Sequence, residues 1–319
     1  MGEQTAIKWT VRYLYAELDL DQPRPELTPE EMRAGPVMVR ADARRIPLPS
    51  ASVDVVVTSP PYLKQRVYGT EAAHELGREE TVAEYVTMIA DVFDELRRVM
   101  KPDRSHAWLN LGDKANNSGG AGGDWAKANR EAALAGGDPG RFRDGAFPEA
   151  SYLDVPGHVL HELMRRGWRL RLPIVWDKGR ESPESLRHVR RPRWSHEMIY
   201  LLTPWERSRK ATDSRPKWYP SGLVETGSVW HFPPGGDGDP HLAPFPDELA
   251  RRCILPTTLP GDVVFDPFGG SGTVPRVAAE LGRHGIATDI YAGRPELVYG
   301  VKTQPRNARN ITEQEETSA

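Results

Sequence analysis

The run Val53-Asp54-Val55-Val56-Val57-Thr58-Ser59-Pro60-Pro61-Tyr62 decides how the rest of the chain is read. Apolar β-branched residues ending at two consecutive prolines predict a buried strand that must stop there, because proline has no N–H to give to a ladder. The strand therefore ends on a rigid corner. Such a corner can point the carbonyls near Ser59 and Pro60 out of the strand end, beside the flat apolar face of Tyr62, with the Ser59 hydroxyl and the Pro60 carbonyl as the acceptors for an amine. Hydrogen-bond acceptors next to a ring suit a planar group that carries an exocyclic amine. A plain strand followed by a proline turn accounts for this stretch equally well when it is taken alone.

A second stretch, far downstream, shifts that balance. Asp262-Val263-Val264-Phe265-Asp266 predicts a strand, Pro267-Phe268-Gly269-Gly270-Ser271-Gly272-Thr273 a glycine-rich turn, and Val274 to Leu281 a helix. Free amides and the dipole at a helix N-terminus favour an anionic group, and glycines let a ligand approach the backbone closely. No Gly-Lys-Ser/Thr follows the glycines and their spacing is not that of the dinucleotide fingerprint, so neither nucleotide motif applies. Gly285-Ile286-Ala287-Thr288-Asp289 reads as a further strand ending in an acid, the placement that holds ribose hydroxyls in nucleotide-binding α/β folds.

Together the two stretches resemble the DNA amino-methyltransferases, specifically the cytosine-N4 group, from about Val37 to about Val298. The resemblance implies that Ser59, Pro60, Pro61 and Tyr62 hold the target amine. It implies that Asp266, Pro267, Phe268, Gly269, Gly270, Ser271, Gly272 and Thr273 bind S-adenosylmethionine, with Asp289 on the ribose and Asp42 on the adenine. Pro244 and Phe245, in His241-Leu242-Ala243-Pro244-Phe245-Pro246, resemble the lid over that cofactor, although Pro-Phe-Pro before a helix is also an ordinary N-terminal stop. Lys64 to Gly69 resembles the family's lip over the pocket, and Asn110-Leu111-Gly112-Asp113 its strand ending, which would set Asp113 at the pocket border. Motif order, with the amine corner first and the cofactor turn last, resembles the beta-type arrangement. That order implies a class I S-adenosylmethionine-dependent methyltransferase fold, Rossmann-like, with a mixed, mostly parallel sheet and circularly permuted motifs.

The adenine group more often carries Asp where this chain has Ser59, which favours cytosine. An adenine-N6 enzyme is the alternative, and a catalytically silent DNA-binding module of the same fold the second. Double-stranded DNA is the implied partner. A companion restriction endonuclease and a homodimer stay open.

Composition bounds these readings. The 319 residues suffice for a full core, and a net charge of −3 means that any contact with a polyanion must come from local clustering. Such clustering occurs at Arg187, Arg190, Arg191 and Arg193, and again at Arg207, Arg209, Lys210, Arg215 and Lys217. Trp194, Trp205, Trp218 and Tyr219 are interleaved with these cations, a pattern that fits phosphate neutralisation and base stacking. The single cysteine, Cys253, lies in a helical pattern as a buried thiol, which disfavours carbon-5 methylation through a thiolate adduct. No cysteine framework or metal cluster, apolar leader or membrane-length run is read, and a reducing cytoplasm fits.

Alternating strands and helices predict a doubly wound α/β sheet. We divide the chain into an N-terminal extension (1–36), a target-base half (37–114), a glycine-rich inserted loop that buries little (115–150), an outer antiparallel pair of strands (151–202), a candidate target-recognition region (203–241), a cofactor half (242–303) and a polar tail (304–319). The periodicity predicts helices over Glu79 to Met100, Val155 to Arg166 and Asp247 to Leu255, and a final one between Asp289 and Val298.

Overall fold

A computed structural model describes residues 11–15, 19–22, 25–64, 75–102, 104–116, 142–179, 192–204, 227–234 and 245–293. In chain order the elements are β1 (Arg12–Leu14), α1 (Pro29–Arg33), β2 (Val37–Arg40), β3 (Val55–Thr58), α2 (Val82–Val99), β4 (His106–Leu111), α3 (Val155–Arg165), β5 (Arg169–Asp177), β6 (His196–Thr203), β7 (Val229–His231), α4 (Asp247–Ile254), β8 (Val263–Asp266), α5 (Thr273–Glu280) and β9 (His284–Asp289). The nine strands make one sheet in the order β1-β2-β9-β8-β3-β4-β6-β5-β7. Only β6 runs against its neighbours; every other pairing among the described strands is parallel.

Two crossovers fix where a ligand can sit. From β3 the chain passes through α2 to β4 on one side, and from β8 it passes through α5 to β9 on the other. Strand order therefore reverses between β3 and β8, which are hydrogen-bonded neighbours with Val55 opposite Val264 and Val56 opposite Phe265. Ligands in open α/β sheets bind beyond the carboxyl ends of the strands at such a point. The rear of the same junction is bolted by Asp54, which is fully buried, pairs with Lys101 at 2.5 Å and Arg104 at 2.7 Å, and accepts the Val263 amide at 3.0 Å.

Each face of the sheet has its own core. Helices α2 and α3 cover one, burying Tyr85, Ile89, Phe93, Leu96, Val159 and Leu163, while α4 and α5 cover the other with Leu249, Cys253, Val274 and Val277. The α2 stripe follows the predicted helical spacing, and its start is capped twice. Thr81 and Glu84 exchange side-chain-to-backbone bonds, and Asp144 Oδ2 accepts the Val82 amide at 2.9 Å. Cys253 is buried and burial pushes its thiol pKa up, as a structural cysteine requires.

Two expectations are corrected, and a third falls largely beyond the described residues. The stretch read as an insert that buries little begins and ends in packed structure: Asn116, Phe142 and Asp144 are buried, and Asn116 Nδ2 donates to the carbonyls of Asp144, Phe147 and Pro148. Its glycine-rich middle, residues 117–141, lies outside the described residues. The β5–β6 pair is antiparallel as expected but not outermost, because β7 adds to the edge of β5. That strand comes from the candidate recognition region, and its Trp230 packs on Trp108 with ring centroids 5.9 Å apart. After Asp289 the residues described, 290–293, form turns, and the expected helix beyond them lies outside the described residues.

Candidate active site

The corner and the glycine turn meet. Thr58 Oγ1 donates to Asp266 Oδ1 at 2.7 Å, a buried bond between the last residues of β3 and β8. Asp266 Oδ1 also accepts the Phe268 amide at 3.0 Å. Burial lifts the Asp266 carboxyl to about 7 against the pull of these two bonds, and the nearby Asp289 charge adds to the rise.

Around the glycine turn the backbone does most of the holding. Gly269 N–H donates to the Thr288 carbonyl and Gly272 N–H to the Gly269 carbonyl, each at 2.8 Å. A Cβ on Gly269 would lie 2.6 Å from the Ala287 Cβ, and Gly272 has a φ of +81° just before α5, so only glycine suits either position. Gly270 also has a left-handed φ, +51°, but among the described residues its Cβ position is open, with the nearest atom 4.0 Å away, so its backbone borders free space. Pro267 gives its carbonyl to Thr288 Oγ1 at 3.0 Å, and Ser271 Oγ and Thr273 Oγ1 are 3.3 Å apart. Asp289 closes the turn by accepting Gly270 N–H on Oδ2 and Tyr291 N–H on Oδ1, each at 2.8 Å. Burial raises its pKa, assisted by Glu75.

The adjacent strand end carries Asp42. Arg40 lies opposite Asp289 in the β2–β9 ladder, so Asp42 sits two residues beyond the same edge. It is buried and paired with Arg44 at 2.5 Å, beside a cavity of about 240 Å³ that Leu20, Asp21, Asp42, Arg44 and Arg45 line. Phe268 packs on the first core and Phe245 on the second. Pro244 lies outside the described residues.

On the corner side, side chains do the holding. Tyr85 Oη donates to the Pro61 carbonyl at 3.0 Å, and Lys64 N–H to the Gly77 carbonyl at 2.7 Å. The Tyr62 ring lies on Gly112, where a Cβ would come within 2.5 Å of it. Tyr62 Oη is 3.2 Å from Ser59 Oγ, 3.1 Å from Asn110 Oδ1 and 2.9 Å from Glu197 Oε2. Burial and the Glu197 charge push the phenol pKa well up. Asn110 Nδ2 donates to Glu197 Oε2 at 3.1 Å and to the Met198 carbonyl at 3.2 Å, and Lys178 Nζ forms an ion pair with Glu197. Among the described residues no hydrogen bond takes up the Pro60 carbonyl.

Sequence reasoning missed Thr58, Asn110, Gly112, Lys178 and Glu197. Asn110 and Gly112 stood in a stretch singled out only for Asp113. Glu197 carried a weak signal, a carboxylate opening an apolar strand, and its partner Lys178 was hidden among loop cations. Asp113 turns to other work. It accepts the Lys114 amide at 2.7 Å and lies against the Val155 amide at the start of α3, and burial lifts its carboxyl to about 6. Of the expected DNA-contacting arginines, Arg187, Arg190 and Arg191 lie outside the described residues. Arg193 is half-buried next to Trp194, whose ring sits 3.9 Å from that of Tyr152 and 5.6 Å from that of His196.

The family model for DNA methylase matches residues 53–299. The type II methyltransferase M.Cfr9I of Citrobacter freundii is 34% identical over 260 residues, 79% of this chain and 80% of that protein. M.SmaI of Serratia marcescens, also a type II methyltransferase, is 34% identical over 282 residues, 86% of this chain and 92% of its own. Among solved structures, the fold is similar to a Thermus thermophilus protein described as a DNA modification methylase, in complex with S-adenosyl-L-methionine. That likeness has a TM-score of 0.55 at 24% identity over 79% of this chain and 87% of that one. The PvuII DNA methyltransferase, described as cytosine-N4-specific, gives 0.55 at 20% identity over 79% and 81%.

Proposed function

The chain belongs to the N6/N4 DNA methylase family, and we propose that within it this protein methylates the exocyclic N4 amine of cytosine in duplex DNA, with S-adenosylmethionine as donor. The observation that carries this reading is the Thr58–Asp266 bond, which sets the Ser59–Tyr62 corner beside the glycine turn, as a shared site for amine and donor requires. The serine at position 59, where a carboxylate would favour adenine, supports cytosine over adenine.

The residues present fit the donor. Gly270 offers backbone beside open space, the first amides of α5 face the same turn, and the Asp289 oxygens each keep a lone pair after binding one amide, enough for ribose hydroxyls. Asp42 and Phe245 would flank the adenosine. When bound, the cofactor would supply a sulfonium methyl group for the nitrogen, its sulfur keeping the bonding pair, and the proton lost by the amine would leave to solvent.

The protein's part is to bind and orient. A base amine is a poor nucleophile because its lone pair is delocalised into the ring. Acceptors at Ser59 Oγ and the Pro60 carbonyl hold its hydrogens out of plane and free that pair, and Tyr62 stacks on the base once it has left the duplex, which costs a few kcal/mol. Holding amine and methyl in line removes much of the entropic barrier. Likeness to two type II methyltransferases supports a role in restriction and modification.

Nucleoside mass spectrometry of DNA from cells expressing the protein tests the reading. N4-methylcytosine is the expected product. N6-methyladenine in its place would overturn the base assignment, and the absence of both would overturn the activity.

A further inference from the structure

A chain of hydrogen bonds with a fixed direction runs from the corner into the sheet. Tyr62 Oη has one proton, and among the described residues the two groups that can take it are both acceptors. One is the Glu197 carboxylate at 2.9 Å, the other Asn110 Oδ1 at 3.1 Å. The Asn110 amide cannot flip to offer a donor instead, because its Nδ2 is committed to Glu197 Oε2 and the Met198 carbonyl. Whichever group takes the phenol proton, the phenol oxygen is left as an acceptor toward Ser59. Ser59 Oγ therefore spends its own single proton on Tyr62, at 3.2 Å, and its lone pairs face outward.

The source of that direction is Glu197. Its side chain is 13% exposed and ion-paired with Lys178, a charged acceptor in a site of low dielectric where hydrogen-bond chains polarise one another. We propose that Glu197, held by Lys178, is a positioning residue that acts through Tyr62 to keep the Ser59 hydroxyl an acceptor for the target amine. A serine then does at this corner what a carboxylate does directly elsewhere, with the negative charge placed two hydrogen bonds back. The proposal rests on the reading above, that the corner binds the amine.

The test uses full-length Glu197→Gln, Tyr62→Phe, the double variant and Ser59→Ala on one PCR-amplified duplex that the wild-type protein methylates. Rates and KM for DNA are measured, and S-adenosylmethionine binding is followed by calorimetry. Each of the first two variants is expected to lower kcat about tenfold, the worth of one hydrogen bond, with KM and cofactor affinity within about twofold. The double variant should be no slower than Tyr62→Phe alone, because both break one chain; a purely structural role for Glu197 would multiply the losses. Multiplied losses, or wild-type kcat in Tyr62→Phe beside a slow Ser59→Ala, overturn the relay and leave the corner's role standing. Wild-type kcat in Ser59→Ala overturns the corner's role itself.

Discussion

The two halves of the cleft are built from different materials. The glycine turn is held by backbone, with Gly269, Gly270 and Gly272 bonded to carbonyls and to one carboxylate, and with no room for a Cβ at Gly269. The corner is held by side chains, with Tyr85 on the Pro61 carbonyl and Ser59, Tyr62, Asn110, Glu197 and Lys178 in one polar cluster. Glycine backbone yields close approach and little chemical choice. A side-chain cluster can be retuned one residue at a time, which would suit the half proposed to tell one base from another.

Removing the ring should break that comparison most sharply. In Tyr62→Ala the turnover is expected to fall by about two orders of magnitude, since stacking on a base is worth about 1–3 kcal/mol and the hydroxyl chain goes with it. Calorimetry should find S-adenosylmethionine affinity near normal, and an equal loss of both would erase the division of the cleft.

The complementary change is Asp289→Ala. It frees the Gly270 and Tyr291 amides and should weaken cofactor binding by roughly tenfold or more, as for a charged hydrogen bond. Unchanged affinity would remove its ribose role.

A smaller effect is expected at the floor of the corner. Gly112→Ala puts a methyl where the Tyr62 ring lies, so kcat should drop several-fold while cofactor affinity holds. If affinity fell instead, the two halves would be mechanically continuous.

The smallest expected change concerns pH. The folded-state pKa of Asp266, near 7, lies above its ordinary 3.8. The folded protein thus holds this proton more tightly, and the contribution is full below about pH 4 and lost as pH rises toward 7. The ligand-free protein should melt a few degrees lower at pH 7.5 than at pH 5 for this reason. Asp266→Asn should flatten that slope, since a single amide oxygen can accept both bonds now made by Oδ1. Melting curves on the variant that keep the wild-type slope would assign it to other groups.

Much of the fold could be read from the sequence because its signals are local. Two prolines stop β3, helical spacing marks α2, and glycines flank α5, so these elements and their meeting point follow from short windows. The reading of Asp113 as a pocket residue shows the limit: a strand-end aspartate looks the same whether it faces a ligand or caps the next helix, and only the position of Val155 decides. Glu197 was illegible for the opposite reason. Its meaning comes from Tyr62, 135 residues earlier, and from the β4–β6 register that brings Asn110 beside it. The tight ends of the glycine-rich insert were misread because composition averages over Asn116 and Asp144, whose bonds depend on the two ends meeting.

The Thr58–Asp266 contact joins residues 208 positions apart. During synthesis, at about 5–20 residues per second, β3 waits roughly 10–40 s for β8 to emerge and shield its flank. A nascent chain is therefore inert and exposes an unpaired strand edge that invites misassembly. No fragment lacking either end holds both sides of the cleft, so methylation capacity arrives all at once with the finished molecule.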